Sequence, residues 1–428
     1  MPEAVSTREI EYIAPEDATA SNRRWLILAL IFTITVINFI DRQTLSVLAP
    51  QLMKALHLSN AQYGRIVSAL QFGMMSGEFP MGALMDRWGA RIGMSIAVGW
   101  WSAATGAQIL ARTGTQFGLT RFWMGTGECG NYSGGMKTVT RLFRKRERTL
   151  AIGIFNSGSM IGSTIALPLI VFLMQHYGFR AAFLVPALAG FLWVPLWWYF
   201  YGREPKIPMD VAPKISSREM LKLPESWAVM ACRFFIGPVM QFYWYWMPSY
   251  LVTVRHMSMI QLGFLGLIPL LLGDIGGVAG GWAAGLLQRR GLSILNVRRI
   301  TMYGSALLCV TSLLVPHMST VIAALLMIGI AVFADNFLSA NMFGAVTDLF
   351  TDRQVGRATG LTGVAGGVSG LLFPLLTGIL IDHFSYTPVF FCVAFMPLIG
   401  TAALFAIARK QYHEVRSSLP DFDHRSLL

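Results

Sequence analysis

Apolar residues recur along this chain in twelve long runs, each parted from the next by a polar stretch. The runs cover roughly 25–49, 63–84, 91–111, 117–140, 150–174, 181–201, 227–252, 260–286, 299–317, 320–346, 358–381 and 387–408. An α-helix needs about 20 apolar residues to cross the hydrocarbon core of a bilayer. The pattern therefore predicts an all-α polytopic membrane protein with twelve transmembrane helices. The longest polar connection, 202–226, follows the sixth run and holds Pro205, Pro208, Pro213 and Pro224. It divides the chain into an N-terminal six-helix half (1–201), a cytoplasmic linker (202–226) and a C-terminal six-helix half with a cytoplasmic tail (227–428).

Charge fixes the direction of these helices. The chain is 54% hydrophobic and only 13% charged, where a soluble domain is about a quarter charged. Of its 34 Lys and Arg residues, 25 fall at the termini and the even-numbered loops and 5 at the odd-numbered loops. The other four, Arg42, Arg121, Lys137 and Arg233, lie deeper inside runs, while Arg65, Arg91 and Arg299, at the very start of theirs, are counted with the adjoining loops. Such alternation is the positive-inside pattern of a multi-pass protein of the cell inner membrane with both termini cytoplasmic. The net charge of +12 is thus mostly topology. No basic stripe with interleaved aromatics points to nucleic acid. Residues 1–22 carry Glu3, Glu9, Glu11, Glu16 and Asp17, unlike the basic start of a cleavable signal, so the first run is expected to stay as an anchor. Cys129, Cys232, Cys309 and Cys392 have no metal spacing and form no disulfide framework. The sequon Asn131-Tyr-Ser lies inside a run and is discounted.

A charge in hydrocarbon costs ~3 kcal/mol or more, so an ionisable residue inside a run is a functional candidate. Asp41 and Arg42 stand at or beyond the middle of the first run. Adjacent residues point about 100° apart on a helix, so each needs another partner. Arg42 offers a planar fork suited to a carboxylate. Asp41, in a low-dielectric site, can take up a proton near neutral pH. The alternative is a structural ion pair with a neighbouring helix. The fourth run carries Arg121 and Glu128, two turns apart on one face, among Gly125, Gly127 and Gly130, which permit close helix packing. Glu128 is a second candidate proton carrier, or a fixed partner of Arg121 or Arg42. Lys137 is expected to snorkel at the inner end, and Arg233 to reach the inner headgroups. Glu78 suits inner gating, pairing or an aqueous vestibule. Asp274 suits a pair across helices, and Asp335 a binding or gating role.

A weak internal repeat supports the two halves. Gly82-x-Leu84-x-Asp86-Arg87-x-Gly89-x-Arg91 follows the second run, and a glycine-rich segment ending in Arg289-Arg290-Gly291 follows the eighth. The first of these resembles the signature loop of the major facilitator superfamily. Its carboxylate and guanidinia can pair across the halves and release as they rock. Further stretches narrow the likeness: Ile37-Asn38-Phe39-Ile40-Asp41-Arg42-Gln43-Thr44, Gly127-Glu128-Cys129-Gly130-Asn131-Tyr132, Gly153-Ile-Phe155-Asn156-Ser157 and Ser339-Ala-Asn341-Met-Phe343. These resemble the anion:cation symporter branch and, within it, the bacterial hexuronate (galacturonate/glucuronate) transporters.

The resemblance implies a proton-coupled symporter that imports a small organic anion, a hexuronate or related sugar acid, by alternating access. It implies a carboxylate on Arg42 and protons on Asp41 and Glu128; beside it, the residues themselves leave a gating or structural role for Glu78, Asp86, Arg87, Arg91, Arg121 and Asp335. The cargo's hydroxyls would find Tyr63, Gln71, Asn131, Asn156, Gln241, Tyr243 and Asn341. The aromatic stretch Gln241-Phe-Tyr-Trp-Tyr-Trp-Met-Pro248 serves equally as a sugar wall or an interfacial belt. Three departures leave the particular acid open. Met240-Gln241 replace a Trp-Trp pair, the eleventh run lacks an amide, and Glu78 stands where an amide is expected. The expected partners are the anion, protons and the lipid bilayer, with no cofactor, no metal and a monomeric state. An exporter of the same fold, a uniporter and a non-transporting sensor are the rivals. No nucleophile–base, metal or phosphate-loop spacing suggests an enzyme.

Overall fold

In a computed structural model the described residues are 23–143, 145–202 and 217–408. Most of the connection 202–226, the N-terminal 22 residues and the tail beyond Ala408 lie outside them. Among the described residues there is no strand. The helices are α1 (Arg23–Ala55), α2 and α3 (60–88 and 90–107), α4 (Gly114–Leu142), α5 (Lys145–Tyr177), α6 (Phe179–Tyr201) and α7 (Pro224–Thr253). Next come α8 (Met259–Leu265 and Leu267–Arg289), α9 (Ile294–Cys309, extended by the 3₁₀ segment Val310–His317), α10 (Val321–Leu349), α11 (Asp352–His383) and α12 (Thr387–Ile407). One further helical turn, Ser217–Met220, precedes α7.

The twelve rods match the twelve apolar runs, with ends reaching several residues past them. Eight helices are long and apolar enough to cross a membrane on length and composition alone. Those that fall short include α4, with its four charged residues, and the aromatic-rich α7. Polar caps set the starts: Ser59 before α2 and Ser258 before α8 each form a capping box with the glutamine three residues on. The α2–α3 turn rests on Gly89, whose φ of 77° and ψ of 172° suit glycine almost alone. Outward faces are apolar, as at Leu184, Leu188 and Leu192 of α6, which fits contact with lipid tails.

Helices α1–α6 pack on one another, as do α7–α12. Between the two sets the contacts run along α1 with α7, α2 with α11, and α5 with α8. The polar ones gather on the side away from Arg23 and Ile407. There Asp382 of α11 receives hydrogen bonds from Asn60 N and Ala61 N at 2.9 and 2.8 Å. The Tyr63 hydroxyl donates to the Tyr245 carbonyl at 2.9 Å, and Ser68 to the Leu371 carbonyl at 2.8 Å.

Candidate functional site

Between the two sets of helices lies a cavity of about 350 Å³. Helices α1, α5, α7, α8, α10 and α11 form its walls. At the α1 wall, Phe39 lines the cavity and Arg42 lies against its ring. The guanidinium carbon lies 4.8 Å from the Phe39 ring centre, and Phe39 meets Trp244 edge-on at 6.0 Å.

Behind that ring is a buried ionic cluster. Arg42 Nη2 and Nε donate to Glu128 Oε2 at 2.8 and 3.1 Å. Glu128's side chain is fully buried and its Oε1 has no hydrogen-bond partner. Arg121 shares a face of α4 with Glu128, yet its Nη1 donates to the Arg42 carbonyl at 3.3 Å instead. Asp41 is buried, with Glu128, Arg121 and the Trp101 indole as its polar neighbours. Of the two partners open to Glu128 from sequence, the structure selects Arg42, 86 residues away. Helix α4 also packs closely on α2. A Cβ at Gly125 would stand 2.3 Å from the Leu70 carbonyl oxygen, so only hydrogen fits there.

The opposite wall corrects one expectation. Arg233 does not extend to the headgroups but lines the cavity. Helix α7 begins at Pro224, which sets Arg233 more than two turns inside it. Its guanidinium lies over the Phe343 ring at 5.6 Å. Gly366 gives it room, since a Cβ there would come within 3.0 Å of Nε. Asp335 and Asn336 of α10 and Asp274 of α8 line the same cavity. Asp335 is buried and its Oδ1 has no partner. The signal that could have found Arg233 was the one used for Arg42: an arginine inside an apolar run.

Residues 31–340 and 292–425 match the family model of the Major Facilitator Superfamily. The chain belongs to that superfamily. Membership makes it a multi-pass membrane transporter rather than an enzyme. The hexuronate transporter of Escherichia coli (strain K12) is 26% identical over 408 residues, covering 91% of this chain and 94% of its own. The hexuronate transporter of Bacillus subtilis (strain 168) is 28% identical over 396 residues, 89% and 92% of the two chains. A probable galactarate/D-glucarate transporter of E. coli K12 is 27% identical over 84% and 88%. Among solved structures, a bacterial homologue of the human lysosomal transporter Spinster, inward-facing and unoccupied, superposes with a TM-score of 0.75. It is 18% identical over 93% of this chain and 98% of its own, a likeness of fold.

The facilitator signature loop binds within its own half. Asp86 pairs with Lys137 at 3.1 Å, so Lys137 does not simply snorkel. Arg91 donates to the Trp198 carbonyl at 2.9 Å and stacks on that ring at 4.3 Å, while Arg87 is exposed. These bonds stay within the first half, unlike the expected pairing across the halves. Glu78 is exposed as well.

The amides and hydroxyls divide. Gln241 lines the cavity and accepts from Gln71 at 3.0 Å, a bond between α7 and α2. Asn156 is exposed on α5, one and two turns before the lining residues Ser159 and Ser163. The remaining four are taken up by packing. Tyr63 seals the far side against Tyr245 and Trp246. Asn131 bonds Thr35 at 3.1 Å, and the Tyr243 hydroxyl meets Ser312 at 2.8 Å. Asn341 accepts from Arg298 and donates to the Gly280 carbonyl, both at 3.1 Å. The aromatic stretch of α7 is no surface belt: Phe242, Tyr243, Tyr245 and Trp246 are buried and Trp244 lines the cavity.

Proposed function

We propose that this transporter imports an organic anion, a hexuronate or a related sugar acid, together with protons. In this reading it works as a monomer of the cell inner membrane, with its termini in the cytoplasm. The proton gradient supplies the energy and no cofactor takes part. The far-side contacts close the outer face, and the opening on the terminal side belongs to the cargo-releasing state of an alternating-access cycle.

The observation that carries the reading is the buried Arg42–Glu128 pair behind the cavity wall. One guanidinium there has two claimants, the Glu128 carboxylate and the carboxylate of a cargo. An ionised Glu128 holds the fork. A proton on Glu128 weakens that hold and leaves the fork to the cargo, so the anion binds with its proton. Leaving the arginine unpaired in a low-dielectric site would be costly, so the exchange of one anion for another is the favoured route. Asp41, buried beside Glu128, accepts or relays a further proton in this reading. Gln71, Gln241 and Asn156 supply hydrogen-bonding groups for hydroxyls, and Trp244 an aromatic wall. The relatives' names support the cargo class.

The test is uptake of labelled galacturonate or glucuronate into energised membrane vesicles, with and without an uncoupler. The wild type should accumulate label and lose accumulation with the uncoupler. Glu128→Gln should keep counterflow exchange and lose accumulation. Normal accumulation by Glu128→Gln removes Glu128 from coupling. Wild-type uptake that ignores the uncoupler and stops at equilibrium makes the protein a uniporter.

A further inference from the structure

The second half repeats the carboxylate of the first. Helices α4 and α10 are both 29 residues long. Thr113 caps one and Thr320 the other, each accepting from the amide three residues on. Each helix ends before a phenylalanine, Phe143 or Phe350, whose amide bonds to a valine carbonyl four residues back. Glu128 and Asp335 stand at the same distance from these caps, 113 to 128 and 320 to 335. Both are buried, and each has one oxygen without a hydrogen-bond partner. Each also answers to an arginine on the first helix of its half, Arg42 on α1 and Arg233 on α7.

The two couples differ in one respect. Arg42 and Glu128 touch, whereas Arg233 and Asp335 make no ion pair and share the cavity wall. Asp335 is one methylene shorter than a glutamate, and Arg233 lies over Phe343. The groups facing Asp335 are few. They are Arg233 and Tyr243 of α7 and Cys309 of α9, with Asp274 of α8 on the same cavity. The Tyr243 hydroxyl is bound to Ser312. Arg233 is therefore the cation beside Asp335, and it lacks the carboxylate contact that Arg42 has.

An anion entering this cavity meets a positive Arg233 and a negative Asp335. With Asp335 ionised, the incoming charge is repelled at short range in a medium that screens weakly. With Asp335 neutral, Arg233 is left to the anion. We propose that Asp335 is a coupling carboxylate of the second half, taking a proton from the outer side as the anion binds and releasing it to the inner side as the anion leaves. The second half then carries its own proton-dependent anion site, and each anion crosses with one proton more than the first half alone accounts for. This rests on the sugar-acid symporter reading above.

The experiment uses the full chain in liposomes with labelled D-glucuronate, D-galactonate or galactarate, whichever the wild type accumulates. The end-point accumulation ratio is measured at a pH difference of about one unit and zero voltage. That ratio does not depend on turnover rate. Each coupled proton multiplies it about tenfold per pH unit, so Asp335→Asn should lower it about tenfold and Asp335→Glu should restore it. Asp335→Ser serves as a second neutral variant should the amide disturb insertion. A wild-type ratio in both neutral variants overturns the inference and leaves the symporter reading standing. Loss of exchange along with accumulation in both makes Asp335 a structural group and also overturns it. A wild type whose uptake of all three acids ignores the pH difference overturns the symporter reading, and this inference with it.

Discussion

Arg42 and Glu128 form the kind of buried pair whose worth depends on which partner is missing. Burying two charges is expensive, and their mutual attraction with good hydrogen bonds offsets the cost. Removing one partner leaves a charge with nothing to answer it, at a cost of about 3–5 kcal/mol. Arg42→Met alone should therefore lower the melting temperature of the detergent-purified protein markedly, while Arg42→Met with Glu128→Met should recover most of the loss without recovering transport. Equal melting of single and double variants would mean that the pair carries no such coupling. The candidates at this scale were legible because charge inside an apolar run is costly and so rarely incidental. Their pairing was not legible, since Arg121 on the same helix is the nearer neighbour in sequence and Arg42 the nearer in space. Hydroxyls and amides were harder still. Tyr243 and Asn341 offer a packing partner the same donors and acceptors that they would offer a sugar, and here Ser312, Arg298 and the Gly280 carbonyl take them.

Helices were the most legible feature, because twelve apolar runs of bilayer length have few other solutions. What runs of that kind do not contain is the depth of a helix within the bundle. Helix α7 starts before its apolar run, so Arg233 sits deeper than the edge of the run suggested. Aromatic residues near the end of α7 face other helices, a rotation that apolar periodicity cannot fix when both faces are apolar. Glycines say more. Gly89 turns α2 into α3 with a backbone conformation that an L-residue strains to adopt. Gly89→Ala should destabilise the protein by about 1–3 kcal/mol, read as a lower thermal midpoint, and should disturb the neighbouring Asp86–Lys137 bond. A midpoint equal to that of the wild type would show that the turn relaxes without cost.

At the scale of the whole molecule, what matters is where the halves hold together. The hydrogen bonds that join them run along the far side and down to the Gln71–Gln241 bond beside the cavity. Asp382 is the outermost of these contacts. Its carboxylate takes the first free amides of α2, Asn60 and Ala61, together with the Asn60 side chain at 2.8 Å. A helix start leaves such amides without partners, and a negative charge there also answers the helix dipole. The second half thus caps a helix of the first, and only while the far side is closed. Opening that side must break the cap, so the cap adds to the stability of the closed state and of no other. Loss of a cap costs about 1 kcal/mol, which is about fivefold in a two-state ratio. Asp382→Ala should therefore shift the population toward far-side opening by about that factor, seen as a longer spin-label distance between the ends of α2 and α11 and faster thiol labelling at Ser68→Cys. Asp382→Asn, which keeps an acceptor but no charge, should fall between the two. Unchanged distances in Asp382→Ala would place the closure in the other far-side contacts, among them the Tyr63 and Ser68 hydrogen bonds and the approach of Gly64 to Pro374, where a Cβ would come within 2.4 Å of the carbonyl oxygen.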